Sequence, residues 1–276
     1  MATRDYQGAK FNENHIDKIV DSLTVEEALQ ININDAPFTL TMRTPGDDKA
    51  LIRGLLHSED VLLNATFSPD IILNSENKDG IVTKVDLKIP NAELGPGYSN
   101  SRSLLSVSSC GICGRTEIGD LSFMGRTIDS EQQIPIETIS RTLEKMNAQQ
   151  FSFKKTGGTH AAAAFSLSGE LLCSMEDIGR HNAVDKVIGC LIFDNNLDDA
   201  FIMTVSGRVS YEIVTKCFKA GIPVLVAVSA PSSLAVDYSK ELGITLFGFC
   251  REGRATCYSY PQRISKKSIL KNKKAS

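Results

Sequence analysis

The spacing of apolar residues predicts a hairpin, a helix and a further strand early in the chain. Two apolar runs, 28–33 and 38–43, flank the turn Asn34-Asp35, a pattern typical of a β-hairpin. After the turn-forming stretch 44–48, leucines recur at the spacing of one helix face. From 81 to 89 every odd position is apolar or β-branched, which predicts a half-buried strand.

In the second half of the chain, regular punctuation by Gly, Pro and Ser predicts alternating helices and strands. A helix is predicted to begin at Pro135, with its apolar stripe at Ile136, Ile139, Leu143 and Met146. The elements predicted after it are a hairpin (161–167 and 170–174), helices (181–193, 209–219 and 234–242) and strands (200–205, 224–228 and 244–249). Such alternation predicts right-handed crossovers and a mainly parallel sheet.

The fold class is therefore predicted to be α/β, with a smaller β-rich N-terminal region. The predicted divisions are a β-rich region (1–105, with a loop at 91–101), a cysteine loop and linker (106–134), an α/β domain (135–262) and a basic disordered tail (263–276). The tail is basic because five lysines lie beyond residue 265.

Composition excludes several classes of protein. The 276 residues are 42% hydrophobic and 23% charged, which is an ordinary globular balance rather than that of a disordered or fibrous chain. No apolar run approaches the roughly 20 residues that span a bilayer, and the first residues lack a secretory apolar core. We therefore expect a cytoplasmic protein with reduced thiols and no membrane partner. The net charge of −3, without a basic stripe carrying aromatic residues, argues against nucleic-acid binding.

The most unusual segment is 108–115, Ser-Ser-Cys-Gly-Ile-Cys-Gly-Arg. Its two thiols, Cys110 and Cys113, lie between glycines that leave room for another molecule to approach, and Arg115 favours the nucleophilic thiolate. Three interpretations stay open: half of a zinc site, which lacks a second ligand pair in the sequence; a thioredoxin-like dithiol, which would open a helix; and sulfur relay through Cys110.

Three predicted helix starts offer free backbone N–H groups to an anion. They contain the candidate residues Arg180 and His181; Ser206, Gly207 and Arg208; and Ser229 and Ser232. Because loops after consecutive parallel strands meet at one sheet edge, these starts are predicted to form a phosphate site, with the arginines adding charge-assisted bonds. Ordinary helix capping explains the same residues equally well. His160 is expected to be a hairpin residue rather than a ligand, and Cys173, Cys190 and Cys217 to be core thiols.

A third cluster lies where the last predicted parallel strand ends. It comprises Phe249, Cys250, Arg251, Glu252, Gly253 and Arg254. An aromatic ring with two arginines can stack on a planar heterocycle and hold a diphosphate, but a solvated strand end has the same composition.

Several motifs together, in order over roughly residues 25–260, resemble the FdhD family of formate dehydrogenase accessory sulfurtransferases. The motifs are 43–48 (RTPGDD), 109–114 (SCGICG), 156–161 (TGGTHA), 176–186 (EDIGRHNAVDK), 206–208 (SGR), 229–232 (SAPS) and 248–249 (GF).

The resemblance implies a cytoplasmic sulfur carrier. Such a protein takes sulfur as a persulfide from a cysteine desulfurase and passes it to the molybdenum of the bis(molybdopterin guanine dinucleotide) cofactor before that cofactor enters formate dehydrogenase. Cys110 would carry the persulfide, with Cys113 as an assisting thiol, and 249–254 would bind the cofactor, aided by the helix starts. The resemblance also implies a homodimer, no intrinsic metal, and a three-layer α/β/α domain like that of cytidine deaminases.

The sequence departs from a working zinc deaminase. Such an enzyme needs His-x-Glu at one helix start and Pro-Cys-x-x-Cys at the next, whereas this chain has His181-Asn182-Ala183 and Ser206-Gly207-Arg208. A likeness of fold would therefore not carry the metal chemistry. Two alternatives to the sulfur carrier remain: a chaperone that binds and protects the sulfurated cofactor without catalysis, and a zinc- or thiol-based redox enzyme.

Overall fold

The computed structural model describes residues 2–64, 66–100 and 126–265. Its strands are β1 (Thr3–Asn12), β2 (His15–Thr24), β3 (Glu27–Ile33), β4 (Ala36–Arg43), β5 (Ile71–Glu76), β6 (Val82–Leu87), β7 (Ile134–Pro135), β8 (His160–Phe165), β9 (Leu171–Asp177), β10 (Ile202–Val205), β11 (Val224–Ala227), β12 (Thr245–Arg251), β13 (Arg254–Cys257) and β14 (Ile264–Ser265). Its α-helices are α1 (Asp48–Ser58), α2 (Pro96–Asn100), α3 (Ile136–Gln149), α4 (Phe151–Thr156), α5 (Arg180–Phe193), α6 (Tyr211–Lys219) and α7 (Ser233–Glu241).

The larger sheet has six strands in the order β13-β12-β11-β10-β8-β9. Only the two central pairs, β10–β11 and β11–β12, are parallel, whereas the other three pairs are antiparallel. The prediction of a mainly parallel sheet was therefore wrong. The reason is that a hairpin closes each end of the sheet, and strands joined by a short turn run in opposite directions. The connection from β9 through α5 to β10 then leaves β8 between these two strands and antiparallel to both.

Helices cover both faces of this sheet. Alternate strand residues, such as Met203 and Leu225, pack against α5, α6 and α7, while their neighbours Ile202 and Val224 form a second apolar cluster with α3. This two-sided burial explains why the central strands are short, continuous apolar runs rather than alternating ones.

The N-terminal part contains a four-stranded sheet in the order β4-β3-β6-β5, with α1 packed on it. The predicted hairpin is confirmed: β3 and β4 pair antiparallel, and Asn34 and Asp35 both adopt the left-handed backbone that a two-residue turn requires. The helix predicted after residue 48 and the strand predicted within 81–89 are confirmed as α1 and β6.

The two parts meet where α1 crosses α5 at backbone contact. A Cβ atom added to Gly54 would lie 1.8 Å from the carbonyl oxygen of Asp185, and one added to Gly189 would lie 1.9 Å from that of Ala50. Each helix thus supplies a glycine where the other helix's backbone approaches.

Three other features differ from the sequence predictions. The predicted loop 91–101 contains a 3-10 turn (Asn91–Glu93) and α2. Residues 263–265 of the predicted tail belong to the fold, because the buried Arg263 guanidinium donates to the carbonyl oxygens of Gly243 and Ile128. The rest of the predicted tail lies outside the described residues. No helix in the described ranges is long and apolar enough to cross a membrane.

Candidate functional site

The loops after β10, β11 and β12 lie together at one edge of the six-stranded sheet, as the sequence predicted. Val209, after β10, forms a bridge with Pro231, after β11. The backbone N–H of Phe249 in turn donates to the carbonyl oxygen of Ser229, at 3.1 Å. All the candidate ligand-binding segments of the C-terminal half therefore share this edge.

Four basic side chains converge here: His160, Arg180, His181 and Arg208, which we call the basic cluster. Gly207 lies at its centre, since a Cβ atom at that position would be 3.2 Å from Nδ1 of His160 and 3.4 Å from Cβ of Arg180. Burial, followed by the charges of Arg180, Arg208 and His181, lowers the pKa of His160. His160 is therefore neutral at pH 7.

The starts of two helices add to this positive potential. Arg180 and His181 are the first two residues of α5, and Arg208 lies two residues before Ser210, the N-cap of α6. The Nε atom of Arg180 is buried and has no hydrogen-bond partner among the described residues. Backbone N–H groups and partial positive charge at both helix starts reinforce the arginines, so the edge is suited to an anion.

A buried carboxylate holds His181 in place. Nε2 of His181 lies 2.9 Å from Oε2 of Glu212 and 3.1 Å from Oγ of Ser210, whose hydroxyl also donates to Glu212. Glu212 is buried in the first turn of α6. It thus ties the start of α5 to the start of α6.

The hydroxyls of two predicted serines, Ser206 and Ser232, accept hydrogen bonds from backbone N–H groups. Oγ of Ser206 accepts a hydrogen bond from the N–H of Ala161 at 2.9 Å, which joins the loop after β10 to β8. Oγ of Ser232 accepts from the N–H of Ala235 at 3.1 Å and so caps α7. For these two positions the capping interpretation describes the observed contacts.

The segment 249–254 contains the end of β12, as predicted, together with the turn into β13. After a bulge at Phe249, which has a left-handed backbone, β12 turns back into β13 through Glu252-Gly253. Phe249 is 44% exposed, and both arginines of the segment are exposed at this hairpin tip. Cys250 instead lies in the core under α3, where burial raises the pKa of its thiol to about 12. Its side chain is therefore turned away from any ligand at the tip.

Other residues of the family-like motifs join the two sheets. Lys186, buried in α5, pairs with the buried Asp177 at 2.8 Å and donates to the carbonyl oxygen of Thr44 at 2.9 Å. The N–H of Thr44 donates to the same Asp177 carboxylate. Asp48, at the start of α1, pairs with the fully buried Arg43.

A second buried pair lies deeper along α5. Nζ of Lys216 is 2.8 Å from Oδ1 of Asp185, which also accepts from the hydroxyl of Ser58 in α1. Burial opposes the charge on Lys216, but the carboxylates of Asp185 and Glu59 outweigh it and raise the pKa of Lys216. We call the Asp177–Lys186 and Asp185–Lys216 pairs, with the N-terminal residues they bind, the buried interlock.

Four of the five described cysteines, Cys173, Cys217, Cys250 and Cys257, have raised thiol pKa values and so make poor nucleophiles. Burial raises the pKa of the Cys217 thiol to about 12, and it also raises the pKa of Cys257. The pKa of Cys173 is raised as well, by hydrogen bonding to Cys190 and by burial. Cys173 and Cys217 are core residues, as predicted, whereas Cys190 is only partly buried and donates to Asp194. Cys110 and Cys113 lie outside the described residues.

A separate cavity of about 280 Å³ opens near the far end of α6. It is lined by Arg53, His57, Asp60, Leu62, Leu63, Arg126, Phe218 and Lys219. Arg126 is the first described residue after the segment that contains Cys110, and its guanidinium lies over the ring of Phe218. Since Phe218 lies in the last turn of α6 and Arg208 precedes the helix, the chain re-enters the described fold at the opposite end of α6 from the basic cluster.

Glu212 was not singled out from the sequence. His160 is a hairpin residue, as predicted, opposite Asp177 in the β8–β9 pair, and it also lies beside Gly207. Neither has a local signal, because each reaches the cluster from a different element. Only the antiparallel pairing of β8 with β10 brings His160 beside Gly207.

The fold and this edge define a class: a mixed α/β protein with a cationic site at helix starts, joined to a smaller β-sheet. Comparison with known proteins names the family. The model of the FdhD/NarQ family matches residues 24–265. The chain belongs to this family.

Among its relatives is the "Sulfur carrier protein FdhD" of Sulfolobus acidocaldarius, which is 38% identical over 265 residues, 96% of this chain and 99% of the relative. The protein of the same name from Streptomyces avermitilis is 41% identical over 252 residues, 89% of each chain. A crystal structure described as a formate dehydrogenase accessory protein from Desulfotalea psychrophila has a similar fold, with a TM-score of 0.75 over 96% of this chain and 100% of that one, at 20% identity.

Proposed function

We propose that this chain is a sulfur carrier that serves formate dehydrogenase. The thiolate of Cys110 attacks the terminal sulfur of a persulfide on a cysteine desulfurase. A new S–S bond forms at Cys110, the donor's S–S bond breaks, and the donor cysteine leaves as a thiolate. In the second step the S–S bond at Cys110 breaks, Cys110 leaves as a thiolate, and the terminal sulfur passes to the molybdenum of the bis(molybdopterin guanine dinucleotide) cofactor, which is the substrate of this step and whose reduced metal would supply the two electrons that convert the sulfur to sulfide.

The observation that carries the proposal is the family, together with the Cys-Gly-Ile-Cys-Gly sequence of this chain. Relatives 37–41% identical to it are named sulfur carriers. The state of the described thiols supports Cys110 by contrast. Persulfide exchange needs a thiolate that a second protein can reach, and burial keeps Cys173, Cys217 and Cys250 protonated.

The basic cluster supports the second half of the proposal. The cofactor carries two diphosphate groups and two guanines, so it needs cations at a helix start and a surface for a planar base. Arg180 and Arg208 supply the first, and the exposed ring of Phe249 supplies the second. We propose that Arg251 and Arg254 hold further phosphate oxygens from the hairpin tip.

The remaining features of the proposal follow the family resemblance. We propose a cytoplasmic homodimer whose C-terminal domain has the three-layer arrangement of cytidine deaminases. In that arrangement, His181-Asn182-Ala183 and Ser206-Gly207-Arg208 would occupy the positions of the deaminase metal ligands, with cations in place of the metal. Formate dehydrogenase would receive the loaded cofactor.

Intact-mass measurement after incubation with a cysteine desulfurase and cysteine tests the first step. We expect a gain of one sulfur atom, mapped to the Cys110 peptide and absent from Cys110→Ala. Cys190→Ala, which alters a partly buried thiol elsewhere, is the matched control and should still gain sulfur. A Cys110→Ala protein that still gains sulfur and still activates formate dehydrogenase would falsify the assignment.

One observation favours a second candidate function, a non-catalytic chaperone for the sulfurated cofactor. The basic cluster is built entirely from residues outside the cysteine segment, so ligand binding does not require a thiol. The chaperone predicts that wild type gains no sulfur, while guanosine diphosphate binds wild type and Cys110→Ser equally. A sulfur gain on wild type decides for the carrier.

A further inference from the structure

Strands β1 and β2 form a long two-stranded ribbon, Thr3–Thr24, which we call the arm. The strands pair antiparallel over their whole lengths, from Thr3 opposite Thr24 to Asn12 opposite His15. Within the described residues, the arm pairs with no third strand of either sheet. Nearly all of its residues are exposed.

One face of the arm is apolar toward its tip. The register places Phe11 opposite Ile16 and Gln7 opposite Val20, so Phe11, Ile16 and Val20 lie on the same face. Their exposed fractions are 73%, 63% and 70%. These three side chains are among the most exposed large apolar residues of the described chain, and they share one face, on which the Ala9–Lys18 pair lies between Phe11–Ile16 and Val20.

Among the described residues, the side-chain contacts that join the arm to the rest of the fold lie at its base. The hydroxyls of Thr24 and Thr156 lie 2.7 Å apart, and Lys155 donates to Thr3 at 3.0 Å. On the other face, Arg4 pairs with Asp79 at 2.6 Å. All three contacts involve the first or last residues of the ribbon. The arm therefore extends its tip about 30 Å from the base, at roughly 3.3 Å per residue.

Such an element is not stable by itself. An isolated two-stranded hairpin is marginal in water, because it buries too little apolar surface to offset the entropy of ordering its chain. Here it also exposes unpaired strand edges beside an apolar face, a combination that native proteins normally cover. The arm nevertheless carries Phe11 and Ile16 next to its tip and Val20 at its middle, all three exposed and away from the contacts at its base. A surface that covers them would remove this apolar area from water.

We propose that the apolar face of the arm packs against a second copy of this chain, with the two copies exchanging arms about a two-fold axis. The argument for a second copy is one of area. One arm face presents apolar surface on the order of 400 Å², so an arm that binds a different protein buries about 800 Å² in total, the size of a weak contact. Reciprocal exchange doubles this to about 1,600 Å², which is the size of a stable interface.

This inference rests on the homodimer proposed above and assigns a surface to it. The test is the oligomeric state of the full chain, measured by analytical ultracentrifugation from 0.1 to 50 μM. The test variant is Phe11→Ser/Ile16→Ser/Val20→Ser. These positions are solvent-exposed in the single chain, so the substitutions leave the fold of the monomer intact, and circular dichroism checks this.

The matched control is Tyr6→Ser/Leu23→Ser, which removes two exposed apolar side chains from the opposite face of the same strands. We expect wild type and control to be dimers and the triple variant to dissociate at least 100-fold more readily. In the dimer each copy would also protect arm amides of the other copy from hydrogen exchange. The triple variant, which loses this protection, should therefore exchange its β1 and β2 amides faster than wild type.

The outcomes separate this inference from the rest. A dimeric triple variant overturns the role of the arm but leaves the homodimer standing. A monomeric wild type overturns both the homodimer and the role of the arm. This holds even if hydrogen exchange shows that another part of the same chain covers the apolar face. Neither outcome bears on sulfur loading, because that assay reads Cys110 and not the oligomeric state.

Discussion

The buried interlock and the basic cluster both contain basic side chains, but they differ in how those positive charges are balanced. In the interlock, Lys216 and Lys186 each have a carboxylate within 2.8 Å, so the charges are neutralised inside the protein. In the basic cluster, Arg180 and Arg208 share an edge with two histidines; of the carboxylates described beside them, Glu212 pairs with His181 and Asp177 already pairs with Lys186. One arrangement satisfies its charges internally, and the other leaves positive charge for a ligand.

The comparison is sharper because one short stretch, 176–186, serves both regions. Arg180 and His181 begin α5 and face the cluster, whereas Asp185 and Lys186 are one turn further along and buried. The motif 176–186 therefore has two parts: Arg180 and His181 face the basic cluster, and Asp185 and Lys186 belong to the buried interlock. Stability and ligand binding measured on the same variants separate the two halves.

The largest expected effect is on the interlock. Lys216→Met leaves the buried Asp185 carboxylate without its partner, so the free energy of unfolding should fall by about 3–5 kcal/mol in urea titrations. Lys88→Met is the matched control, because Lys88 pairs with Asp35 on the surface and should cost at most about 1 kcal/mol. Equal losses in the two variants would contradict the assigned roles.

The helix crossing should be nearly as sensitive. Gly189→Ala places a methyl group against the backbone of α1 and should destabilise by about 1–3 kcal/mol, although alanine is the better helix former by about 1 kcal/mol. Gly8→Ala, whose added carbon would have no neighbour closer than 3.6 Å, is the control and should leave the unfolding midpoint unchanged. A stabilised Gly189→Ala protein would show that the helices do not touch.

The basic cluster should respond in binding rather than in stability. Arg208→Ala should weaken guanosine diphosphate binding by about 10- to 100-fold in calorimetry, the effect of losing charge-assisted hydrogen bonds. Its unfolding free energy should stay within about 0.5 kcal/mol of wild type. Arg141→Ala, at an exposed arginine on α3, should change neither quantity. Unchanged binding by Arg208→Ala would remove the cluster from the proposed cofactor site.

The smallest effect concerns pH. Because the pKa of His160 is lowered, this side chain is neutral in the free protein at pH 7. A bound diphosphate favours the protonated ring, so binding takes up protons and the affinity for guanosine diphosphate should rise a few-fold from pH 8 to pH 6.5. His160→Gln should flatten this dependence. The phosphate's own pKa is about 6, so it stays largely ionised between pH 8 and pH 6.5. An affinity for guanosine diphosphate that falls as the pH is lowered over this range would place His160 away from the ligand.

Local sequence patterns predicted most helices and strands, whereas features that depend on contacts between distant segments could not be predicted from the sequence. The turn at Asn34-Asp35 has its own chemistry, and the helix starts follow from their spacing, so both were found. The direction of β8 relative to β10, the burial of Cys250 and the arrival of His160 at the cluster depend on pairing between strands far apart in sequence. The arm was missed because its strands bury almost nothing, which leaves their alternation of apolar and polar residues irregular.

The glycine-to-backbone contact between α1 and α5 has a consequence for how the protein melts. Because the helix backbones meet at Gly54 and Gly189, the smaller sheet cannot detach without exposing peptide groups and the lysine–carboxylate pairs beside them. The molecule should then lose both sheets in one cooperative step, with a single heat-capacity peak in scanning calorimetry. Its two cores are a single thermodynamic unit.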